Sequence, residues 1–216
     1  MNYILKTSLT PTIDMNIAIQ GASGKLGSLI LSHAPNAHII SRTGEIPNID
    51  VIIDVSSAEG TKSLLSRIQK TPLLVGTTGD LPWTALESYA QHAPVAIIPN
   101  FSVGVPLLLT LLEQAIRSLP EGWDIEVIEA HHNQKKDAPS GTAKRIVQTI
   151  RDAGGGEVPV HALRVGDTFG EHTVWMCGPG ERIEIKHVAT NRSVFAIGAL
   201  RWAKWLIQQP NGLIKP

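Results

Sequence analysis

Short hydrophobic runs alternate with stretches of helical spacing over the first hundred residues. The runs cover residues 16–20, 38–41, 50–55, 73–76 and 95–98, and apolar positions with helical spacing occupy residues 25–33, 58–70 and 81–92. Strands that alternate with helices predict a parallel sheet with crossover connections. The connection over residues 42–49 contains Gly44 and Pro47 and is too short for a helix, so we expect one crossover helix to be missing.

The pattern changes after residue 101. A strongly apolar helix is predicted over 105–119, a partly alternating strand over 123–130, a polar loop over 131–140 and a helix over 142–153. Three further strands are expected at 160–165, 172–176 and 182–188. Val174 with Met176, and Ile183 with Ile185, alternate with polar residues, which is typical of an open sheet with one face on a core. A last helix is predicted over 194–207 and could belong to either of the two parts of the chain. The chain is therefore predicted to be α/β, with a Rossmann-type lobe and a smaller α+β lobe.

Composition narrows the class of protein. The 216 residues carry no net charge, with 19 Lys and Arg against 19 Asp and Glu, so nucleic acid and membrane are not expected partners. Cys177 is the single cysteine, which favours a reducing compartment. No apolar run approaches the ~20 residues that span a bilayer. Residues 1–14 lack the features of a signal peptide and look like an extension. A cytoplasmic protein is expected.

A glycine-rich turn joins the first predicted strand to the first helix. Its spacing is G-x-x-G-x-x-G, looser than the G-x-G-x-x-G of many dinucleotide sites. Glycines at this place let the backbone approach a pyrophosphate, and the helix N-terminus offers free N–H groups. The alternative is a turn without a ligand. The predicted cofactor-binding residues here are Gly21, Ala22, Ser23, Gly24, Lys25, Leu26 and Gly27.

The end of the second predicted strand bears on cofactor choice. An NAD-preferring site usually has an acid there, whereas this chain has Ser41 and Arg42. A guanidinium pairs well with a 2′-phosphate, and Lys25 can add a second positive charge. NADPH is therefore the preferred cofactor, with NADH as the alternative. Arg42 can equally be a solvated surface residue.

Two further turns follow the fourth and fifth strands. The carboxyl ends of parallel strands line the ligand crevice of an open sheet, so both turns are candidates for cofactor contact. Ordinary loop chemistry is the alternative. The residues are Gly76, Thr77, Thr78, Ile98, Pro99, Asn100 and Phe101.

The segment from Glu129 to Ala143 carries the most chemistry. It places two histidines and two lysines on a loop that ends in Ser140-Gly141-Thr142 at a helix start. A helix N-terminus with hydroxyl groups suits a carboxylate, and histidine can donate a proton near neutral pH. Alternatively, Ser140 only caps the helix and the charges are solvated. No metal is expected, because adjacent histidines point apart and no acidic or cysteine partner has suitable spacing.

This segment resembles the signature of the dihydrodipicolinate reductase (4-hydroxy-tetrahydrodipicolinate reductase) family, E-x-H-H-x-x-K-x-D-A-P-S-G-T-A, at every fixed place. The glycine turn, Gly76-Thr77-Thr78 and residues 100–104 resemble the family's cofactor-contacting segments in the same order. The resemblance covers about residues 15–209. It departs from the family pattern in the short connection over 42–49 and in the extension over 1–14.

The resemblance implies NAD(P)H-dependent reduction of a cyclic dicarboxylate to tetrahydrodipicolinate, in the diaminopimelate route to lysine. It implies His131 as the proton donor and Lys135 as the second catalytic group. The implied substrate-binding residues are His132, Lys135, Ser140, Gly141 and Thr142. It also implies a homotetramer, with a dinucleotide-binding domain of residues 15–101 and 195–216. An inserted domain of residues 102–194 would bind substrate and mediate oligomerisation.

Two other functions would also use a dinucleotide-binding lobe. A dinucleotide-sensing regulator without catalysis would be expected to have a degraded substrate loop, and here His131 and Lys135 are both present. A short-chain reductase needs a Tyr-x-x-x-Lys pair. The chain has only Tyr3 and Tyr89, and residue 93 is Ala93, so that pair is absent.

Overall fold

The computed structural model describes residues 15–214, so the predicted extension at 1–14 and residues 215–216 lie outside the described residues. The described chain divides into two compact units. The first comprises residues 15–101 and 193–214, and the second comprises residues 102–192. The last helix thus belongs to the first unit. The binding roles expected for the two units stay predictions.

The first unit is a six-stranded parallel sheet in the order β10-β5-β4-β3-β1-β2 with helices packed on it. Its strands are β1 (Ile17–Gln20), β2 (His38–Ile40), β3 (Val51–Asp54), β4 (Leu73–Val75), β5 (Pro94–Ile97) and β10 (Gly212–Ile214). Its helices are α1 (Lys25–His33), α2 (Ala58–Leu65), α3 (Trp83–Ala90) and α6 (Ser193–Leu206). The α/β class and the parallel sheet are confirmed.

Burial on both faces explains why the central strands are continuous apolar runs. On one face, Ala18, Ile52 and Leu73 pack in one cluster with Leu64 of α2 and Leu86 of α3. Helix α6 contacts α1 and strands β3, β4 and β5. The strands are therefore fixed by packing on both sides rather than by the intrinsic preference of their residues.

As expected, no crossover helix joins β2 to β3, since residues 41–50 form no helix. This connection instead places Ile46 and Ile49 against the apolar cluster beneath α2 and α3. Arg67, which follows α2, donates from Nη1 to the Ser41 carbonyl oxygen at 2.9 Å and from Nη2 to the Gly44 carbonyl oxygen. The side chains of Ile46 and Ile49 thus cover the core in place of a crossover helix, and the Arg67 guanidinium group holds the backbone of the connection.

The expectation of five strands in the first unit was wrong, because β10 adds a sixth. It pairs in parallel with β5, with Leu213 opposite Val95. This strand is only three residues long and follows Pro210 and Asn211. A run that short carries too little alternation to be distinguished from a loop.

The second unit contains a four-stranded mixed sheet in the order β7-β6-β8-β9. Its elements are α4 (Gly104–Ser118), β6 (Asp124–His131), α5 (Gly141–Asp152), β7 (Val160–Arg164), β8 (Glu171–Gly178) and β9 (Glu181–Val188). Helices α4 and α5 cover the sheet face that carries Val127, Val174 and Met176, all fully buried. Ile183 was expected on the core face but is 45% exposed, because β9 is the edge strand. Over residues 15–214, no helix is long and apolar enough to cross a membrane.

Replacement of Trp202 tests the packing of α6. Its side chain is 1% exposed, the largest of the fully buried side chains, and Trp205 beside it is only partly buried. Trp202→Ala should lower the free energy of unfolding by about 3–5 kcal/mol, since it removes a large buried ring. Chemical denaturation measures the loss. Trp205→Ala is the matched control, and an equal loss in both variants would contradict this packing.

Candidate active site

In the glycine turn of residues 21–27, two backbone segments lie very close to each other. Gly21 has a φ of +85°, and a Cβ at Gly27 would lie 2.1 Å from the Gly21 carbonyl oxygen, so a side chain at residue 27 does not fit. Gly24 is the N-cap of α1 and supplies no side-chain cap. The N–H groups of the first turn are therefore left for an anion. The geometry fits a pyrophosphate at residues 21–27, which stays a prediction.

The two other predicted cofactor turns come together at the carboxyl ends of β4 and β5. A Cβ at Gly76 would lie 2.4 Å from Cζ of Phe101, a side chain that is 2% exposed. Thr77 is also buried, while Thr78 is exposed. Phe101 therefore packs on the Gly76 backbone, and Thr78 is the residue of this turn that presents its side chain to solvent.

Asp54 at the end of β3 was not singled out from the sequence. Its side chain is fully buried and accepts hydrogen bonds from the Ser56 and Thr61 hydroxyl groups, each at 2.5 Å. Burial raises the pKa of Asp54, and these hydrogen bonds oppose the rise. The carboxyl group thereby anchors the turn into α2 at the same edge of the sheet.

In the second unit, a polar cluster occupies one end of the sheet face that α4 and α5 cover elsewhere. Glu129 and His131 are two residues apart on β6, so both side chains are on the same face. His172 of β8 is directly opposite Glu129, and His187 of β9 is directly opposite His172. Arg164 of β7 pairs with His131. Strand register thus gathers five polar side chains from four strands.

Glu129 is fully buried and is the hub of this cluster. Its Oε1 accepts from the Ser140 backbone N–H at 3.0 Å and from Arg164 Nη2 at 2.9 Å. Its Oε2 is 3.1 Å from His131 Nδ1 and 4.0 Å from His172 Nε2. Burial alone would raise the pKa of Glu129, but the hydrogen bonds from Ser140 and Arg164 hold it below its usual range. The carboxyl group is therefore ionised at neutral pH.

His131, the predicted proton donor, is 9% exposed at the end of β6. Burial lowers the pKa of His131, the Glu129 carboxylate raises it, and the positive charges of Lys135 and Arg164 lower it, with a net decrease. Its Nε2 points to the Gly170 backbone, where an added Cβ would be 3.2 Å away. One ring nitrogen therefore faces a carboxylate while the other lies beside a residue without a side chain.

His172 was not predicted as a site residue. It is 3% exposed, its Nε2 is 3.3 Å from the Ser140 hydroxyl oxygen, and its ring meets that of His131 edge-on at 5.2 Å. Burial, and after it the charge of His131, lowers the pKa of His172 to about 4. His172 is therefore neutral at physiological pH. No signal in the sequence marks it, because strand register alone places it opposite Glu129.

Lys135 and Arg164 shape the loop between β6 and α5. Lys135 Nζ is 2.8 Å from Asp137 Oδ1, and the lysine side chain is 23% exposed. Arg164 donates to the carbonyl oxygens of Lys135, at 3.3 Å, and of Asp137. Arg164 was missed by the sequence reasoning because it is far from the signature along the chain. His132 is partly buried beside His131.

The N-terminus of α5 has the expected start. Ser140 is buried and caps the helix, since its hydroxyl oxygen accepts from the Ala143 N–H at 3.2 Å. Gly141 is exposed, with nothing within 4 Å of an added Cβ, and Thr142 is partly exposed. Ser140 therefore caps α5, which was the alternative to a substrate-binding role. Contact of Ser140, Gly141 or Thr142 with substrate stays a prediction.

Contrary to the expectation that no acidic partner has suitable spacing, three residues of the cluster could share a metal ion. Glu129, His131 and His172 each offer a ligand atom, and these atoms lie within 4.8 Å of one another. The acidic partner, Glu129, is two residues from His131 on the same strand. Because Arg164 already pairs with Glu129, a cation there would meet a competing positive charge. The expected absence of a metal stays a prediction.

Known proteins were then compared with this sequence. A family model described as "Dihydrodipicolinate reductase, C-terminus" matches residues 104–215. The 4-hydroxy-tetrahydrodipicolinate reductase of Pseudoalteromonas translucida is 38% identical, over 84% of this chain and 77% of that protein. The protein of the same name from Myxococcus xanthus is 40% identical, over 81% of this chain and 73% of its own length. The chain belongs to the dihydrodipicolinate reductase family.

Solved structures agree on the fold. Dipicolinate-bound dihydrodipicolinate reductase from Paenisporosarcina sp. TG-14 superposes with a TM-score of 0.67 at 21% identity, over 93% of this chain and 97% of that chain. The alignment with the Methanosarcina barkeri relative spans 254 positions, more than the 216 residues of this chain. That relative thus carries residues that this member of the family lacks.

The buried His172 predicts how stability depends on pH. A histidine whose folded-state pKa is about 4, against 6.5 when unfolded, makes unfolding easier as pH falls through this window, because the unfolded chain takes up the proton first. The loss amounts to about 3 kcal/mol between pH 6.5 and pH 4. His172→Gln should flatten the curve of unfolding free energy against pH, whereas His33→Gln, an exposed control on α1, should not. Parallel curves for wild type and His172→Gln would refute the assignment.

Proposed function

We propose that this chain catalyses the NAD(P)H-dependent reduction of 4-hydroxy-tetrahydrodipicolinate or dihydrodipicolinate to tetrahydrodipicolinate, in the diaminopimelate route of lysine biosynthesis. Relatives that are 34–40% identical carry the name of this reductase. The observation that carries the proposal is the complete signature folded into one polar cluster, with His131, Lys135 and the N-terminus of α5 in the second unit.

The chain's own residues divide the work. A bound reduced nicotinamide supplies the hydride in this chemistry. His131 holds the proton that the reduced ring takes up, and Lys135 keeps a positive charge near the imidazole. The N–H groups at the start of α5, with Thr142 and His132, receive the substrate carboxylates, because a helix N-terminus favours anions. Close packing of the donors reduces the reorganisation that the reaction needs.

The cofactor site is proposed in the first unit, at residues 21–27 and at the ends of β2, β4 and β5. NADPH is the preferred cofactor and NADH is also used. Ser41, Arg42 and Thr43 are exposed where β2 ends, and Arg67 anchors the carbonyl oxygens of Ser41 and Gly44, so the loop has a defined backbone. An exposed guanidinium on an anchored loop suits a 2′-phosphate.

A homotetramer is proposed as well. The sheet face of the second unit that points away from α4 and α5 leaves Leu163 50% and Val188 40% exposed. Exposed apolar side chains on one sheet face favour contact with a further copy of the chain.

Alanine replacement tests the catalytic pair. His131→Ala and Lys135→Ala should each lower kcat by ~10²–10⁴-fold while the affinity for the cofactor changes little, because the proton donor and its neighbouring charge act in the chemical step. Cofactor oxidation with the cyclic substrate gives kcat, and fluorescence titration gives cofactor affinity. His161→Ala, an exposed histidine on β7, is the control. Near-normal turnover of His131→Ala would rule out His131 as the donor.

Arg42→Ala tests cofactor choice. The KM for NADPH should rise about tenfold, equivalent to the ~1.4 kcal/mol of a charge-assisted contact, while the KM for NADH changes little. The preference should also weaken at high salt, since exposed charges are screened over ~10 Å at 0.1 M. Arg117→Ala, an exposed arginine on α4, is the control. Equal harm to both cofactors would mean that Arg42 does not recognise the 2′-phosphate.

A further inference from the structure

Glu129 opens the signature, yet neither the resemblance nor the comparisons give it a role. It is a fully buried carboxylate on the strand that carries His131. A buried charge is unfavourable unless it is paired and hydrogen-bonded, so each of its two oxygens needs a partner. The two oxygens have different partners.

Oε1 of Glu129 contacts the groups that hold the loop between β6 and α5. It accepts from the Ser140 N–H and from Arg164, and Arg164 in turn donates to the carbonyl oxygens of Lys135 and Asp137. One carboxylate oxygen therefore ties β6 to the first residue of the α5 cap and, through Arg164, to the loop that carries Lys135.

Oε2 serves His131. It is 3.1 Å from His131 Nδ1, and both atoms are buried with no aligned hydrogen bond to any described residue. Buried polar atoms are almost always paired, and a small rotation of the imidazole satisfies these two together. His172 is the other group near Oε2, but its Nε2 is 4.0 Å away and lies 3.3 Å from the Ser140 hydroxyl oxygen.

We propose that Glu129 is a positioning residue for the reaction: its Oε2 holds the proton of His131 on Nδ1 and stabilises the imidazolium, so that Nε2 is the nitrogen that exchanges a proton with substrate. This inference rests on the proposed role of His131. The hydrogen bond made by one ring nitrogen of a histidine fixes the role of the other. The E-x-H spacing of the signature fits this role, because residues two apart on a strand share a face.

The charged and titratable groups that face His131 come from four places. Glu129 is on β6, Lys135 and Asp137 are on the loop, Arg164 is on β7 and His172 is on β8. Glu129 and Asp137 raise the pKa of His131, whereas burial, Lys135 and Arg164 lower it. Removal of the Glu129 charge alone must therefore lower the pKa of His131 further.

Three variants test the proposal in the full-length protein. Glu129→Gln keeps the shape and removes the charge, and Glu129→Asp keeps the charge but withdraws it by one methylene. Glu126→Gln is the matched control, since Glu126 is on the same strand and pairs at 2.7 Å with the exposed His161. The pKa of His131 is measured by NMR titration of ¹⁵N-histidine-labelled protein, with its signal assigned by loss in His131→Ala. The pH profile of kcat/KM is measured in parallel.

In Glu129→Gln the pKa of His131 should fall by about 1–3 pH units, the effect of losing an opposite charge at this range. The high-pH limb of kcat/KM should move to lower pH by the same amount, because the donor must be protonated. Glu129→Asp should fall between wild type and Glu129→Gln in both measurements, and Glu126→Gln should match wild type. A purely structural Glu129 would lower thermal stability without moving either titration.

An unchanged His131 pKa in Glu129→Gln, or an equal change in Glu126→Gln, overturns the proposal. If Glu129→Gln does not fold, Glu129→Asp decides, and wild-type values of both kcat and the His131 pKa would overturn it. The NMR titration needs no turnover. Failure of the wild-type protein to reduce the cyclic substrate would therefore reject the proposed function and leave the test of Glu129 intact.

Discussion

A carboxylate without access to water must be surrounded by donors, and in the second unit that requirement organises the site. Glu129 obtains its hydrogen-bond donors from the α5 cap and from β7, and His131 of its own strand lies 3.1 Å from its second oxygen. Each donor belongs to an element that carries a predicted site residue or adjoins one. The geometry around His131 and the start of α5 is thus one arrangement, in which the loss of one partner leaves a buried charge unbalanced.

The first unit depends on a different constraint, the closeness of backbone segments. At Gly27 and Gly76 the space for a side chain is taken by the Gly21 carbonyl group and by the Phe101 ring, respectively. Close approach at the ends of parallel strands leaves helix N–H groups and strand-end turns on one edge of the sheet, which is where open α/β sheets bind ligands. Packing and the proposed binding site therefore share the same residues.

Much of this fold follows from the sequence because apolar runs bounded by glycine are buried strands in parallel sheets. The helix Lys25–His33 has the bounds expected from its pattern, whereas α2 ends at Leu65 rather than near residue 70. Strand β10 was missed because pairing with β5, not local preference, makes it a strand. The signature showed which side chains to examine. It could not show that His172 and Arg164, distant along the chain, meet Glu129, since strand register alone brings them together.

The connection over residues 41–50 performs two tasks that larger folds give to separate elements. Ile46 and Ile49 cover the core where a crossover helix would be, and Arg42 on the same stretch is the residue proposed to distinguish the cofactors. Arg67 fixes its backbone at Ser41 and Gly44. Evolution toward another cofactor at this place is therefore constrained by folding, because an exchange that shifts the loop also uncovers part of the core. A protein engineer who altered Arg42 would have to keep the two isoleucines and the arginine anchor unchanged.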